Sequence, residues 1–169
     1  MEMALQTHGL VKVFRSFRGV RSLLSPRRRA GLFRETVALD GIDLQVPKGS
    51  VYGLLGRNGA GKTTTIQLLM GLLEPTAGRC EVLGLDPLTQ DVAMKLRVGH
   101  VADGQRMYEF YTVEEICDFA ATFYPTWNAQ LQDQLIDRFD LPRDQRIAEL
   151  SRGMKAQVAL VLALAHEPE

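Results

Sequence analysis

Apolar positions along the chain follow two rhythms that change near residue 100. Before it, short apolar runs are cut by glycine- and proline-bearing turns. "MALQTHGLVKVF" predicts a strand that offers Leu5, Leu10, Val11 and Val13 for burial. "VALDGIDLQVPKGSVYGLLG" predicts two short strands, Ile42 to Val46 and Val51 to Leu55, joined by the turn "PKGS". Thr63 to Gly71 carries Ile66, Leu68, Leu69 and Met70 and stops at "GLLEPTAG", which predicts a helix. "GRCEVLG" and "RVGHVAD" are strand candidates around a short helical piece near Thr89 to Leu96. Beyond it the spacing becomes helical. Val113, Ile116, Phe119, Ala120 and Phe123 recur between Thr112 and Tyr124, and Leu131, Leu135 and Phe139 between Asn128 and Phe139. Ser151 is placed to N-cap a last helix running to Ala165. The pattern predicts an α/β core followed by a mostly helical portion, with no internal repeat.

Composition changes this picture little. The 169 residues fit one domain, and 46% hydrophobic with 24% charged residues is ordinary for a soluble globular protein. Net charge is zero, so nothing global points to nucleic acid or an acidic substrate. Cys80 and Cys117 stand alone, outside any metal-ligand or redox spacing, which fits a reducing cytosol. No run approaches the ~20 apolar residues of a spanning helix, and "MEMALQTHGL" lacks the form of a secretory signal.

Local charge matters more. "RSFRGVRSLLSPRRRAGLFR", Arg15 to Arg34, holds seven arginines and no acid. This basic insertion, taken as residues 15–35, reads as a solvated flexible insertion or as a contact with an anionic membrane surface or membrane-bound partner. RNA binding is a third option. Interleaved Phe17, Leu23, Leu24, Leu32 and Phe33 add weight to the membrane reading.

The strongest chemistry lies in "GLLGRNGAGKTTT", which matches G-x-x-x-x-G-K-[ST] at Gly56, Gly61, Lys62 and Thr63, between an apolar run and a predicted helix. Gly56, Arg57, Asn58, Gly59, Ala60 and Gly61 can curl with their N–H groups inward to form an anion nest. The helix N-terminus at Lys62, Thr63 and Thr64 adds unpaired donors and a positive dipole end. Lys62 supplies charge for β- and γ-phosphates, and the Thr63 hydroxyl can ligate Mg²⁺. The expectation is a nucleoside-triphosphate site.

A second motif narrows the family. "LSRGMKAQ" opens a helix about ninety residues later, and with "VALDGIDLQVPKGSVYGLLGRNGAGKTTTIQLLMGLLEPTAG" it resembles the ATP-binding subunits of ATP-binding cassette (ABC) transporters, from about Leu5 to the last residue. The family signature LSGGQ is matched by Leu150, Ser151, Arg152, Gly153 and Met154, with departures at Arg152 and Met154. The resemblance implies that this signature meets the γ-phosphate of a nucleotide bound by the opposite subunit. The form "SRGMK" is similar to a branch exporting drugs, antibiotics or lipids. By the same resemblance Phe14 stacks on adenine and Val37 lies near the base. The Q-loop glutamine falls at Asp103, with Gln105 two residues on, and residues 104–150 form a helical subdomain where Trp127 and "YEFY" serve packing or partner contacts.

The implied fold is a P-loop ABC ATPase core with an N-terminal antiparallel β part and a helical signature subdomain, all within one nucleotide-binding domain, 1–169. In the family, a strand ending Asp-Glu (the Walker B strand) follows the signature helix. This sequence stops at "HEPE" before it, so the C-terminal part of the fold and the catalytic glutamate are expected to be missing. None of His8, His100 or His166 can stand in for them. "VYGLLG" would then be an open edge and "VALVLALA" a helix without its packing partner, in a chain of marginal stability and little hydrolytic activity.

The function expected is an ATP-binding, energy-coupling subunit of an exporter. It would use ATP and Mg²⁺, pair as a homodimer or heterodimer, drive a transmembrane permease subunit, and sit peripherally on the cytoplasmic face of the membrane, with no nucleic acid. The alternatives are a non-hydrolytic nucleotide-binding module and a soluble ABC protein acting on ribosomes or DNA.

Overall fold

The structure is a computed structural model describing residues 2–17, 33–102, 104 and 106–169. It resolves into two compact units, residues 1–94 and 95–169.

The first unit is built on a three-stranded antiparallel sheet. Strand β1 (Met3–Phe17) lies in the middle, between β2 (Phe33–Pro47) and β3 (Ala77–Val82). The β1–β2 register runs from Met3↔Pro47 to Phe17↔Phe33 and slips at several bulges, one of which inserts Ala38 between the pairs Lys12↔Leu39 and Val13↔Val37. Thr7 is buried in mid-sheet, where its hydroxyl donates to Ile42 O and accepts from Leu44 N, both at 2.8 Å. That satisfies a polar group which would otherwise cost stability. Helix α1 (Lys62–Leu69) buries Thr65, Leu68 and Leu69. A short helix α2 (Asp91–Lys95) buries Met94.

The strands depart from the sequence reading. The paired strands are longer than expected and run through Phe17 and from Phe33, so they absorb both ends of the basic insertion. Its middle, 18–32, lies outside the described residues. Val51 to Leu55 is not a strand. Among the described residues none of its backbone groups joins a ladder, and Val51 and Leu55 are 103% and 92% exposed. β-propensity orders a segment only when a neighbouring strand takes up its hydrogen bonds.

The second unit is helical: α3 (Val113–Ala121), α4 (Ala129–Arg138), one 3-10 turn (Ile147–Glu149) and α5 (Arg152–Leu164). Each start has a physical cause. Thr112 and Glu115 form a reciprocal capping box, with bonds of 3.2 and 2.8 Å, and Asn128 Oδ1 accepts from Leu131 N at 2.9 Å. Val113, Ile116, Ile136, Ile147, Leu150, Val158 and Val161 close one core. The signature helix therefore does have packing: Val158 and Val161 are fully buried, while Leu160 and Leu164 face outward. Residues 97–102, the described part of "RVGHVAD", form no strand. Gly99 instead lies against the end of α5, so close that a Cβ there would fall 2.4 Å from Ala163 O. Glu169 N donates to Arg97 O at 3.0 Å, and the two side chains form an ion pair at 2.6 Å. Backbone packed on a helix is unavailable to a sheet.

Candidate functional site

The first unit carries the phosphate cradle. After the exposed 51–55 stretch the chain turns at Arg57, whose carbonyl accepts from Ala60 N at 3.1 Å. Gly59 and Gly61 take φ of +83° and +87°, backbone that L side chains rarely adopt. Gly61 is doubly constrained, since a Cβ there would lie 2.5 Å from Leu39 Cδ2 and 2.6 Å from Ala38 O. β2 thus supports the loop from beneath, and only glycine fits.

Gly61 caps α1 without a side-chain hydrogen bond, and no acid occupies the first turn. The first intrahelical bond is Thr65 N to Gly61 O, 2.8 Å, which leaves the N–H groups of Lys62, Thr63 and Thr64 without backbone partners. These donors and the helix dipole make an anion-binding end. Lys62 Nζ donates to Gly56 O at 2.6 Å and Arg57 O at 2.9 Å, which holds the ammonium over the loop with one proton still to donate. The threonines divide their work. Thr65 is buried and donates to Gly61 O at 3.0 Å, Thr64 is half-buried, and Thr63 is exposed with its hydroxyl available. Arg57, Asn58, Gly59 and Ala60 are exposed along the mouth.

Phe14 and Val37 lie on the neighbouring ribbon. Phe14 is 40% exposed and pairs with Thr36; Val37 pairs with Val13, on the other side of the pleat from Phe14. Lys12, two residues before Phe14, places its ammonium 5.3 Å from the ring centroid. Lys12 lies outside both sequence motifs. An i, i+2 cation–aromatic pair on a strand was the available signal.

The second unit holds the signature segment. Leu150 is buried in the core and Met154 packs against it, so both ends of the motif are anchored. Ser151 caps α5: its Oγ accepts from Met154 N at 3.2 Å, leaving the hydroxyl proton free to donate outward. Arg152 and Gly153 are exposed on the first turn. Asp103 and Gln105, the two Q-loop candidates, lie outside the described residues. Trp127 is a packing residue, with Nε1 donating to Gln132 Oε1 at 2.8 Å. His166 is buried and stacks on Tyr124 at 4.2 Å.

The apolar face of α3 is only partly used. Val113, Ile116 and Cys117 are buried, but Phe119 and Phe123 stay exposed, and with Met107, Tyr108 and Leu162 they line a groove of about 270 Å³. Tyr108 and Phe119 meet edge to face at 5.7 Å, as do Phe119 and Phe123 at 5.1 Å. A cavity of about 300 Å³ shares Arg106 and Met107 with that groove and adds Glu109 and Lys155. Burial pushes the Cys117 thiol up to about 12, helped by Glu114 and Asp118, so it stays neutral at ordinary pH. Hydrogen bonds to Asp133 and Asp137 raise the pKa of Arg143, the centre of a small ion-pair cluster. Among the described residues no group of three metal-ligating side chains occurs, and no helix is long and apolar enough to cross a membrane.

Known proteins agree with the two motifs. The family model described as ABC transporter matches residues 39–169. Daunorubicin resistance ATP-binding protein DrrA3 of Streptomyces coeruleorubidus is 36% identical, over 78% of this chain and 43% of its own length. Methionine import ATP-binding protein MetN of Rhodopseudomonas palustris is 38% identical, over 86% of this chain and 41% of its own. A solved ATP-binding subunit of an ABC transporter superposes with a TM-score of 0.77 at 26% identity, covering 98% of this chain and 63% of that one. The chain thus spans less than half the length of these curated relatives. Cradle, signature and family match point the same way: the chain belongs to the ABC transporter family, as part of an ATP-binding subunit.

Proposed function

We propose that this chain supplies the nucleotide-binding parts of an energy-coupling ATPase subunit of an ABC exporter. The observation that carries the reading is the cradle: a glycine-built loop, an uncapped helix N-terminus and Lys62 held above it. Residues 56–61 and the N–H groups of Lys62, Thr63 and Thr64 bind the phosphates, and Lys62 neutralises the β- and γ-phosphate oxygens. Mg²⁺ bound with the triphosphate would offset its charge, and the exposed Thr63 hydroxyl suits such a hard, oxygen-liganded ion. Phe14 stacks on the base, whereas Val37, expected near the base, lies on the other side of the pleat from that ring.

The signature residues Leu150 to Met154 act on the nucleotide held by a second ATP-binding subunit. Ser151 donates its hydroxyl proton, and the Arg152 and Gly153 N–H groups face the γ-phosphate. Hydrolysis belongs to that pair of subunits in the whole protein, with Asp103 at the Q-loop position. The groove around Phe119 and Phe123 is the contact for a separate transmembrane permease, which keeps the subunit on the cytoplasmic face of the membrane. Export rests on the "SRGMK" form and on the daunorubicin-resistance relative. Import is the second reading, carried by the 38% identity to a methionine-import protein.

Calorimetric titration of the chain with Mg-ATP tests the core of this reading. One ATP should bind, and Lys62→Ala should weaken it at least about 100-fold, the scale of a charge-assisted phosphate contact. Absence of ATP binding by the wild-type chain would overturn the proposal.

A further inference from the structure

Lys12 and Phe14 are two residues apart on β1 and share a face of the ribbon. Lys12 pairs in register with Leu39, whose Cδ2 packs against Gly61 of the cradle, so the ring lies on the face that supports the loop. The Lys12 ammonium is 5.3 Å from the ring centroid and donates to Glu74 O at 2.6 Å. That acceptor belongs to a segment tied to β1 at two more points: Thr76 N donates to Val11 O at 2.8 Å, and Val13 N donates to Thr76 Oγ1 at 2.9 Å. The ammonium is therefore held in place, and Phe14 remains 40% exposed.

We propose that Lys12 is a positioning residue for the purine base of the bound nucleoside triphosphate: its ammonium covers one face of Phe14 and leaves the other as the single stacking surface. The inference rests on the reading that the base stacks on Phe14. A cation on one π-face fixes the ring and draws electron density toward itself, which makes the far face a better partner for an electron-rich purine. The lysine touches neither phosphate nor reacting atom. Its contribution belongs to the base alone, so it separates from that of the cradle.

The test uses two probes on the intact chain, ATP and inorganic tripolyphosphate, with Lys12→Met, Lys12→Arg and Phe14→Ala. Lys12→Met should weaken ATP about two- to fivefold, the scale of an exposed cation–π contact, and leave tripolyphosphate affinity unchanged, which also reports an intact cradle. Lys12→Arg, which keeps the cation, should restore ATP affinity. If Lys12→Met loses both ligands equally, or Lys12→Arg fails to rescue, the lysine acts only through the Glu74 segment and the proposal is wrong. If Phe14→Ala weakens ATP and Lys12→Met does not, the stacking assignment stands and the role of Lys12 falls. If Phe14→Ala leaves ATP affinity intact, the base lies elsewhere and both fall together.

Discussion

Two helix starts in this protein face the same physical problem and solve it in opposite ways. α1 begins at a glycine with positive φ, has no side-chain cap and no acid in its first turn, and leaves three N–H groups open. α5 begins at Ser151, whose hydroxyl closes one donor at once, and one face of its body, Val158 and Val161, is buried in a continuous core. An uncapped helix end gives up about 1 kcal/mol of local stability. Here the open end coincides with a lysine held over it and a loop that admits only glycine at Gly61. The first unit leaves donors unsatisfied for a ligand to fill. The second satisfies its own and presents only what remains, one hydroxyl proton and two exposed N–H groups.

That contrast breaks most sharply at Gly61. Gly61→Ala should abolish ATP binding and lower the stability of the first unit by about 2 kcal/mol or more, from left-handed backbone plus overlap with Ala38 O and Leu39. Calorimetry and urea unfolding read both effects. In the second unit the matching lesion is Ile136→Ala. It removes a core side chain and should cost about 2–5 kcal/mol, while ATP affinity at the cradle, measured below the onset of unfolding, stays as in wild type.

Cys117 sharpens the comparison through pH. Its thiol keeps its proton up to about 12 in the folded chain, against an ordinary value of 9.0, so the stability it contributes is intact below 9.0. Above that the unfolded thiol ionises while the folded one does not, and stability falls toward pH 12 at no more than about 1.4 kcal/mol per pH unit. Denaturant midpoints of wild type and Cys117→Ala, followed from pH 8 to 11, should converge as pH rises. The smallest effect on stability is expected from Ser151→Ala, about 1 kcal/mol lost from the cap, seen as a slightly lower melting temperature.

Much of this was legible in the sequence because local chemistry dictated it. The cradle follows from glycine spacing and one lysine, and the helix start at Ser151 from a hydroxyl before an apolar run. What the sequence hid depends on partners distant along the chain. Val51 to Leu55 has strand-forming side chains, yet no described neighbour takes its hydrogen bonds. "RVGHVAD" looks like a strand until Gly99 is seen against Ala163. Phe119 and Phe123 share the periodicity of Ile116, and only the folded unit tells the exposed residues of that face from the buried ones. The same holds for Lys12, whose partner carbonyl at Glu74 is sixty-two residues away.

The central claim is that cradle and signature are two halves of one nucleotide site, contributed by different subunits. Sedimentation velocity of the chain with and without Mg-ATP tests it most directly, alongside Lys62→Ala and Ser151→Glu. The account predicts that Mg-ATP converts wild type from monomer to dimer. Lys62→Ala should lose both ATP and the dimer, while Ser151→Glu should still bind ATP but stay monomeric. Sedimentation that ignores Mg-ATP, or a Ser151→Glu chain that dimerises like wild type, would contradict it.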